Sequence, residues 1–419
     1  MRVAIVGSGV SGLTCAHVLR QQHDVTVFES ERRPGGHAHT REILYEGRPL
    51  RVDTGFIVYN ERNYPNFSRL LRELNVTTRP SDMSFGVCDA TSNIEWGGSS
   101  LSTIFAQRSN LTRPAFLVML ADILRFNHEA REFLRGSIDP HLSLGEFLEI
   151  GHWSRGFLDW YLIPMGAAIW SANPAQFFQF PAGMLFRFFD NHGLIGGRER
   201  PEWRTIVGGS RQYVEAITSQ LGSRLRLGTS ASKIVRRRDG VEVATENGDV
   251  ETYDHVIFAT HSDQALRLLS DPTDAEQEIL SAITYRPNVA TLHNDVSMLP
   301  RHKRARASWN WRHDSQATAP TLTYDLSRLQ GLATVTSLCL TLNQPEAIDP
   351  SCVIDTTTYW HPVFDAAAMN AQLRHGEISG RDGISFAGAY WGYGFHEDGV
   401  RSALDVCKKL GVPWAEESA

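Results

Sequence analysis

Apolar and polar positions follow more than one rhythm along this chain. Val3-Ala4-Ile5-Val6 is an unbroken apolar run, as in a strand buried on both faces. Val10, Leu13, Ala16, Val18 and Leu19 then recur at helical spacing and predict a helix over 9–21. A second strand is predicted over 25–28, ending in Glu29, so the chain opens as a βαβ unit. Helices are predicted over 67–74 and 114–136. Residues 153–189 lose periodicity and crowd aromatic side chains, among them Trp153, Phe157, Trp160, Tyr161, Trp170, Phe177, Phe180, Phe186, Phe188 and Phe189. They predict a second domain with a large apolar interior. From Arg224 onward short strands take over, at 225–227, 231–236, 241–245 and 255–260, with Asp-Gly and Asn-Gly turns between them. The buried type of Val256-Ile257-Phe258-Ala259 predicts a return to the first sheet. Residues 289–360 alternate strands and loops; a last strand is predicted over 384–388 and a last helix over 400–410.

At 419 residues the chain is too long for one compact core and suits two interleaved domains. Its 41 basic and 47 acidic residues leave a net charge of −6, which gives no electrostatic reason to bind nucleic acid. Five cysteines are scattered without metal spacing or a disulfide framework, so no metal is expected and a reducing, cytoplasmic compartment is. No stretch approaches the length of a membrane span, and the N-terminal apolar run is too short for a signal peptide.

Gly7-Ser8-Gly9-Val10-Ser11-Gly12, between the predicted strand and helix, has the spacing of a dinucleotide fingerprint. Gly7 would permit the turn, Gly9 the close approach of a pyrophosphate, and Gly12 the packing of helix on strand. The helix N-terminus would supply N–H groups and positive dipole character to the phosphates. Glu29 would accept from the ribose hydroxyls. Gly35 and Gly36, within Arg32-Arg33-Pro34-Gly35-Gly36-His37, read either as a second loop against the cofactor or as a surface turn. In the first case Arg33 or His37 would neutralise phosphate. Ile234 is assigned to the cofactor side of its strand.

The far end carries Gly388-Ala389-Tyr390-Trp391-Gly392-Tyr393-Gly394-Phe395-His396-Glu397-Asp398-Gly399. Gly388, ending a strand, would let a cofactor's chain pass, Gly392, Gly394 and Gly399 would let the backbone lie along a flat ring, and a helix starting near Asp398 or Gly399 would aim N–H groups at its edge. Tyr393 and Phe395 would wall the substrate side. His396 and Glu397 read either as acid/base groups or as a backbone donor and a helix cap. His192 and His361 read as satisfied core histidines. Arg301-His302-Lys303-Arg304-Ala305-Arg306, near Trp309 and Trp311, reads as a solvated loop or as a peripheral membrane contact.

These two end motifs, with Glu29 and Gly35-Gly36, resemble the flavin-containing amine oxidase and phytoene desaturase superfamily. A closer resemblance rests on Gly35-Gly36-His37-Ala38, Asp53-Thr54-Gly55-Phe56, Tyr64-Pro65-Asn66, Ser81-Asp82-Met83-Ser84-Phe85, Tyr161-Leu162-Ile163-Pro164-Met165, Ile169-Trp170-Ser171 and residues 392–399. These blocks are similar to the FAD-binding oxidoreductase-like proteins encoded beside, or fused to, cyclopropane-fatty-acid synthases. The resemblance implies a mixed α/β fold, with a Rossmann-type FAD-binding domain of the glutathione-reductase and amine-oxidase type and an interleaved substrate domain. The FAD-binding part is expected at 1–75, 203–270 and 380–419, and the substrate part at 76–202 and 271–379. It further implies non-covalent FAD, because the position of the superfamily's covalent cysteine holds another residue. The strand at 288–294 lacks the superfamily's lysine near the flavin, which speaks against amine oxidation. The expected activity is hydride abstraction from an apolar, fatty-acyl substrate, by desaturation or double-bond isomerisation. The rival expectation is a non-catalytic, flavin-holding partner of a lipid methyltransferase such as cyclopropane-fatty-acid synthase.

Overall fold

The structure is a computed structural model that describes residues 1–136, 142–170, 177–196, 200–313 and 320–414. Its central element is a five-stranded, all-parallel sheet in the order Leu225–Arg226, Asp24–Phe28, Arg2–Val6, His255–Phe258, Ile384–Phe386. The sheet thus gathers strands from the start, the middle and the end of the chain. Alternate residues of each strand feed two different cores. Val3, Ile5, Val25, Val27 and Ile257 pack under the helices Val10–Leu19 and His396–Lys409. Ala4, Val6, Phe28, Val256, Phe258 and Phe386 pack on the opposite side, against the antiparallel meander Ala231–Arg237, Gly240–Thr245, Val250–Tyr253. Burial on both faces is why these strands read as unbroken apolar runs.

A mixed seven-stranded sheet stands apart from the first. Its order is Val353–Pro362, Tyr285–His293, Cys339–Leu342, Thr321–Asp325, Trp309–His313, Phe85–Asp89, Ile94–Gly97. The helices Pro114–Arg135 and Ala182–Asn191 pack on one another beside it.

One expectation about the elements needs correction. The last helix begins at His396 rather than near Asp398 or Gly399. Asp398 Oδ2 accepts the N–H groups of Tyr393 and Phe395 at 3.0 Å, which starts the helix ahead of the predicted run 400–410. The described part of the aromatic stretch 153–189 builds the large apolar interior expected of it. Trp153, Phe157, Phe186 and Phe189 pack around Phe126 with centroids 5.3–6.3 Å apart and form a core of their own. The side chains of Ile169 and Trp170, and all of Ser171, lie outside the described residues. Among the described residues no helix is long and apolar enough to cross a membrane.

Candidate active site

One cavity of about 1610 Å³ runs between the two sheets. That exceeds the roughly 300–1,000 Å³ of a pocket for one small ligand. It has two zones. At one end the wall is backbone-rich and polar: Gly7 to Ser11, Glu29, Arg33, Gly36, Thr229 to Ser232 and Glu246. At the other the wall is made by Met83, Phe85, Met165, Phe180, Phe188, Trp203, Trp309, Tyr324, Leu340, Leu342 and Phe364.

The polar end is shaped by glycines with separate duties. Gly7 has φ +104°, and a Cβ there would lie 2.7 Å from the Ala259 carbonyl oxygen. A Cβ on Gly12 would lie 2.0 Å from the Gly7 carbonyl oxygen, so this position holds helix against strand. A Cβ on Gly9 would meet nothing within 4 Å, because it points into open cavity. Gly9 is also the N-terminal cap of helix Val10–Leu19, and no side chain caps that helix. Free N–H groups at a helix start beside open space are what a pyrophosphate requires. Glu29 Oε2 accepts from the Ser8 N–H at 2.9 Å and the Ser8 hydroxyl at 2.6 Å, and Oε1 accepts from the Glu31 N–H at 2.9 Å. Arg33 donates to the Gly36 carbonyl at 2.9 Å and pairs with Glu31 at 3.1 Å. These residues fit an adenine dinucleotide.

Several sequence-predicted site residues fall elsewhere. Ile234 is fully buried in the meander core and is absent from the wall; Thr229 to Ser232 line the cavity instead. Gly35 also lies off the wall. It has φ +110°, and a Cβ there would sit 2.7 Å from the Ala38 carbonyl oxygen, so it serves the turn that presents Gly36. Gly399 packs helix on helix, since a Cβ there would be 2.7 Å from Val10 Cγ1, and Gly392 makes room for the Asp398 carboxylate. Gly388 and Gly394 do line the cavity, Gly394 with φ +88°. Tyr393 lines it with its ring partly exposed. Phe395 lines it too and stacks on Phe188 at 5.7 Å.

His37 cannot serve as a cation against phosphate. Burial first, then the fields of His361, His261, His396 and Arg33, push its pKa well below the ordinary value and keep the ring neutral. Its Nε2 is buried without a partner among the described residues, so a hydrogen bond is what it offers. His396 does not fit the acid/base reading. Its ring stacks on Phe56 at 3.6 Å, its Nε2 is taken by the Tyr213 hydroxyl at 3.2 Å, and burial lowers its pKa to about 3. Glu397 is a cap, but of a different helix from its own. Its carboxylate accepts the Phe67 N–H at 2.9 Å, the Asn66 N–H at 3.2 Å and Asn66 Nδ2 at 2.6 Å, at the start of helix Pro65–Glu73. Glu397→Ala is therefore expected to destabilise the fold by about 3 kcal/mol, one lost cap plus buried donors left unpaired, as read by urea denaturation. A loss under about 0.5 kcal/mol would refute the capping role.

His361, expected in the core, belongs to the cavity wall. A chain of amides fixes its proton: the Val289 N–H donates to Asn343 Oδ1 at 2.8 Å, Asn343 Nδ2 to Asn288 Oδ1 at 2.9 Å, and Asn288 Nδ2 to His361 Nδ1 at 3.0 Å. Burial lowers the His361 pKa to about 4, so the neutral ring carries its hydrogen on Nε2. Thr54, Gly55 and Phe56 also line the cavity. A Cβ on Gly55 would lie 2.2 Å from the His37 carbonyl oxygen, so this segment abuts the second glycine loop. The block Asp53-Thr54-Gly55-Phe56 was the available signal for it. In the basic loop, the N–H groups of Arg301 and His302 are anchored on Glu95, and Trp311 is buried in the sheet rather than presented beside the loop. None of the five cysteines and no lysine lines the cavity among the described residues.

Among known proteins, AofH of Mycobacterium tuberculosis, provisionally named a flavin-containing monoamine oxidase, is 27% identical over 264 residues, 59% of this chain and 54% of that protein. The chloroplastic protoporphyrinogen oxidase of Oryza sativa subsp. japonica is 24% identical over 339 residues, 69% of this chain and 58% of that protein. The chain thus spans between half and three-fifths of the length of the curated relatives it matches. Among solved structures, putrescine oxidase superposes with a TM-score of 0.67 at 15% identity, covering 98% of this chain and 99% of that one. A fatty acid isomerase from P. acnes superposes with a TM-score of 0.69 at 14% identity, covering 98% of both chains. Likeness at this identity shows the fold. Residues 10–293 match the sequence profile of flavin containing amine oxidoreductases, whose cofactor is FAD. The chain belongs to the flavin containing amine oxidoreductase family.

Proposed function

We propose that this protein abstracts hydride from an apolar, fatty-acyl substrate and so forms or moves a carbon–carbon double bond. The observation that carries the reading is the chemistry of the second cavity zone. An ammonium substrate is held most directly by a carboxylate, and an alkyl chain needs only apolar wall. The acids on the wall sit elsewhere: Glu29, Glu31 and Glu246 at the polar end, and Asp365 capping helix Ala366–Leu373. FAD, when bound, supplies the two-electron acceptor. The chain's own residues then hold its dinucleotide half at Gly9, Glu29 and Arg33, exclude water with the aromatic and aliphatic wall, and offer the His361 Nε2–H as a fixed donor. On this reading residues 1–75, 203–270 and 380–419 serve FAD, and 76–202 and 271–379 serve the substrate.

The test is the absorption spectrum of the purified flavoprotein under anaerobic conditions as oleic and linoleic acids and phospholipids are added. Bleaching of the oxidised flavin band, or product analysis showing a shifted double bond, is the expected result. A flavin that no lipid bleaches, with no isomer formed, would overturn the reading and favour a cofactor-holding partner of a lipid methyltransferase.

A further inference from the structure

We propose that His192, through the lone pair on Nε2, takes up the proton an acyl substrate loses as its double bond forms. The inference rests on the fatty-acyl reading above and adds to it a residue that the sequence left in the core.

His192 is the residue that ends helix Ala182–Asn191. Its Nδ1 lies 2.8 Å from the Phe188 carbonyl oxygen. A carbonyl can only accept, so Nδ1 carries the hydrogen. Burial lowers the pKa of the ring and keeps it neutral, which leaves Nε2 as a lone pair. That nitrogen makes no hydrogen bond to any described residue, and the ring lines the cavity. The other histidines on the wall present the opposite sense or none. His361 has its Nδ1 occupied by Asn288 and His396 Nε2 is held by Tyr213, while no bond to a described residue fixes the tautomer of the His37 or His261 ring.

The surroundings suit a group that is neutral at rest and cationic for one step. The His192 ring lies in a column of near-parallel rings. Phe188 is 3.9 Å away at 24° and Trp203 is 5.8 Å away at 21°. Phe188 in turn stacks on Phe395, at the start of the last helix. An imidazolium between two π faces gains cation–π stabilisation. It also lies at the negative end of its helix dipole, with its Nδ1–H on a carbonyl. Proton uptake is thus supported without a carboxylate in the apolar zone.

The step balances as follows. One substrate carbon gives up a hydrogen with both bonding electrons, which the flavin of this family accepts. The adjacent carbon loses its hydrogen as a proton to His192 Nε2, and the electron pair of that C–H bond becomes the new π bond.

Two measurements test this. In the holoprotein labelled with ¹⁵N-histidine, the resonance that disappears in His192→Gln is expected to show a protonated Nδ1 and a bare Nε2. In single-turnover anaerobic bleaching with linoleic acid, His192→Gln and His192→Phe are both expected to keep stoichiometric FAD and bind the acid within about twofold of wild type. Both are expected to bleach at least tenfold more slowly, about 1.4 kcal/mol of barrier. His192→Phe preserves the ring column, so a merely structural role would leave its rate unchanged. A wild-type ring protonated on Nε2, or bleaching by His192→Phe within about twofold of wild type, overturns the proposal. If no fatty acid or phospholipid bleaches wild type and no isomer forms although Nε2 is bare, the fatty-acyl reading has failed and the proton step falls with it.

Discussion

Gly9→Leu is expected to fold normally and to purify without its yellow colour. The backbone at Gly9 has φ −66°, which any residue adopts, and a Cβ there meets no protein atom within 4 Å. The added side chain therefore costs the fold little and projects into the polar end of the cavity. A leucine there occupies the space a pyrophosphate needs and covers the uncapped N–H groups of the following helix. Affinity for FAD should fall at least hundredfold, about 2.7 kcal/mol. Gly12→Leu is the instructive contrast, because its Cβ would lie 2.0 Å from the Gly7 carbonyl oxygen and 3.2 Å from Ala259 Cβ. That variant should damage the fold itself. The check is flavin absorbance per mole of protein, beside urea denaturation of both proteins stripped of flavin. A Gly9→Leu protein that keeps one FAD per chain would remove the fingerprint assignment.

Acidification is expected to destabilise the fold well before ordinary carboxylates protonate. His255, His293 and His396 are buried, and burial lowers their pKa values to about 4, 4 and 3 from the usual 6.5. Their neutral forms are built into the native hydrogen bonding. His293 Nδ1 accepts the Asp295 N–H at 3.1 Å while its Nε2 meets Thr341 at 2.7 Å, and His255 Nε2 meets Ser385 at 2.9 Å. The unfolded chain takes up these protons near pH 6.5 and the folded chain does not. The stability they contribute is complete above pH 6.5 and is lost as pH falls toward the folded values. By about pH 5 each costs about 2 kcal/mol, roughly 6 together. Asp53 opposes this. Burial raises its pKa to about 6, so its destabilising effect is greatest above that value and fades as pH falls toward 3.8. It returns about 1.4 kcal/mol between pH 7 and pH 5. These three histidines outweigh Asp53 by roughly 4–5 kcal/mol, a large share of the 5–15 kcal/mol typical of a folded protein. The urea midpoint of the flavin-loaded protein should fall sharply between about pH 7 and pH 5, and His255→Gln should lessen the loss by about 2 kcal/mol. A midpoint flat across that range would refute it.

What could be read in advance had local causes. The turn at Gly7, the open approach at Gly9 and the contact at Gly12 are demanded by backbone atoms a few residues apart, so their spacing is itself the signal. The buried runs at residues 3–6 and 256–258 announced themselves because burial on both faces leaves no polar position. Periodicity likewise placed helices Pro65–Glu73 and Pro114–Arg135 to within two residues.

What could not be read had distant causes. Glu397 and His396 are neighbours in an apparent acid/base pair. One caps a helix 330 residues away and the other gives its nitrogen to Tyr213, 183 residues away. His192 and His361 looked alike in sequence, each a histidine among aromatics. The chain of amides through Asn343 and Asn288 makes one a donor, and the Phe188 carbonyl makes the other an acceptor. Composition placed aromatic residues densely at 153–189, but only packing decided that most of them fill their own core while Phe180 and Phe188 reach the cavity. The sequence by itself determined the dinucleotide-binding scaffold, because backbone sterics and burial act over short separations. The tertiary structure alone decided which polar atoms stay unpaired and face the substrate, because a side chain's free nitrogen is defined by partners that folding brings from far along the chain.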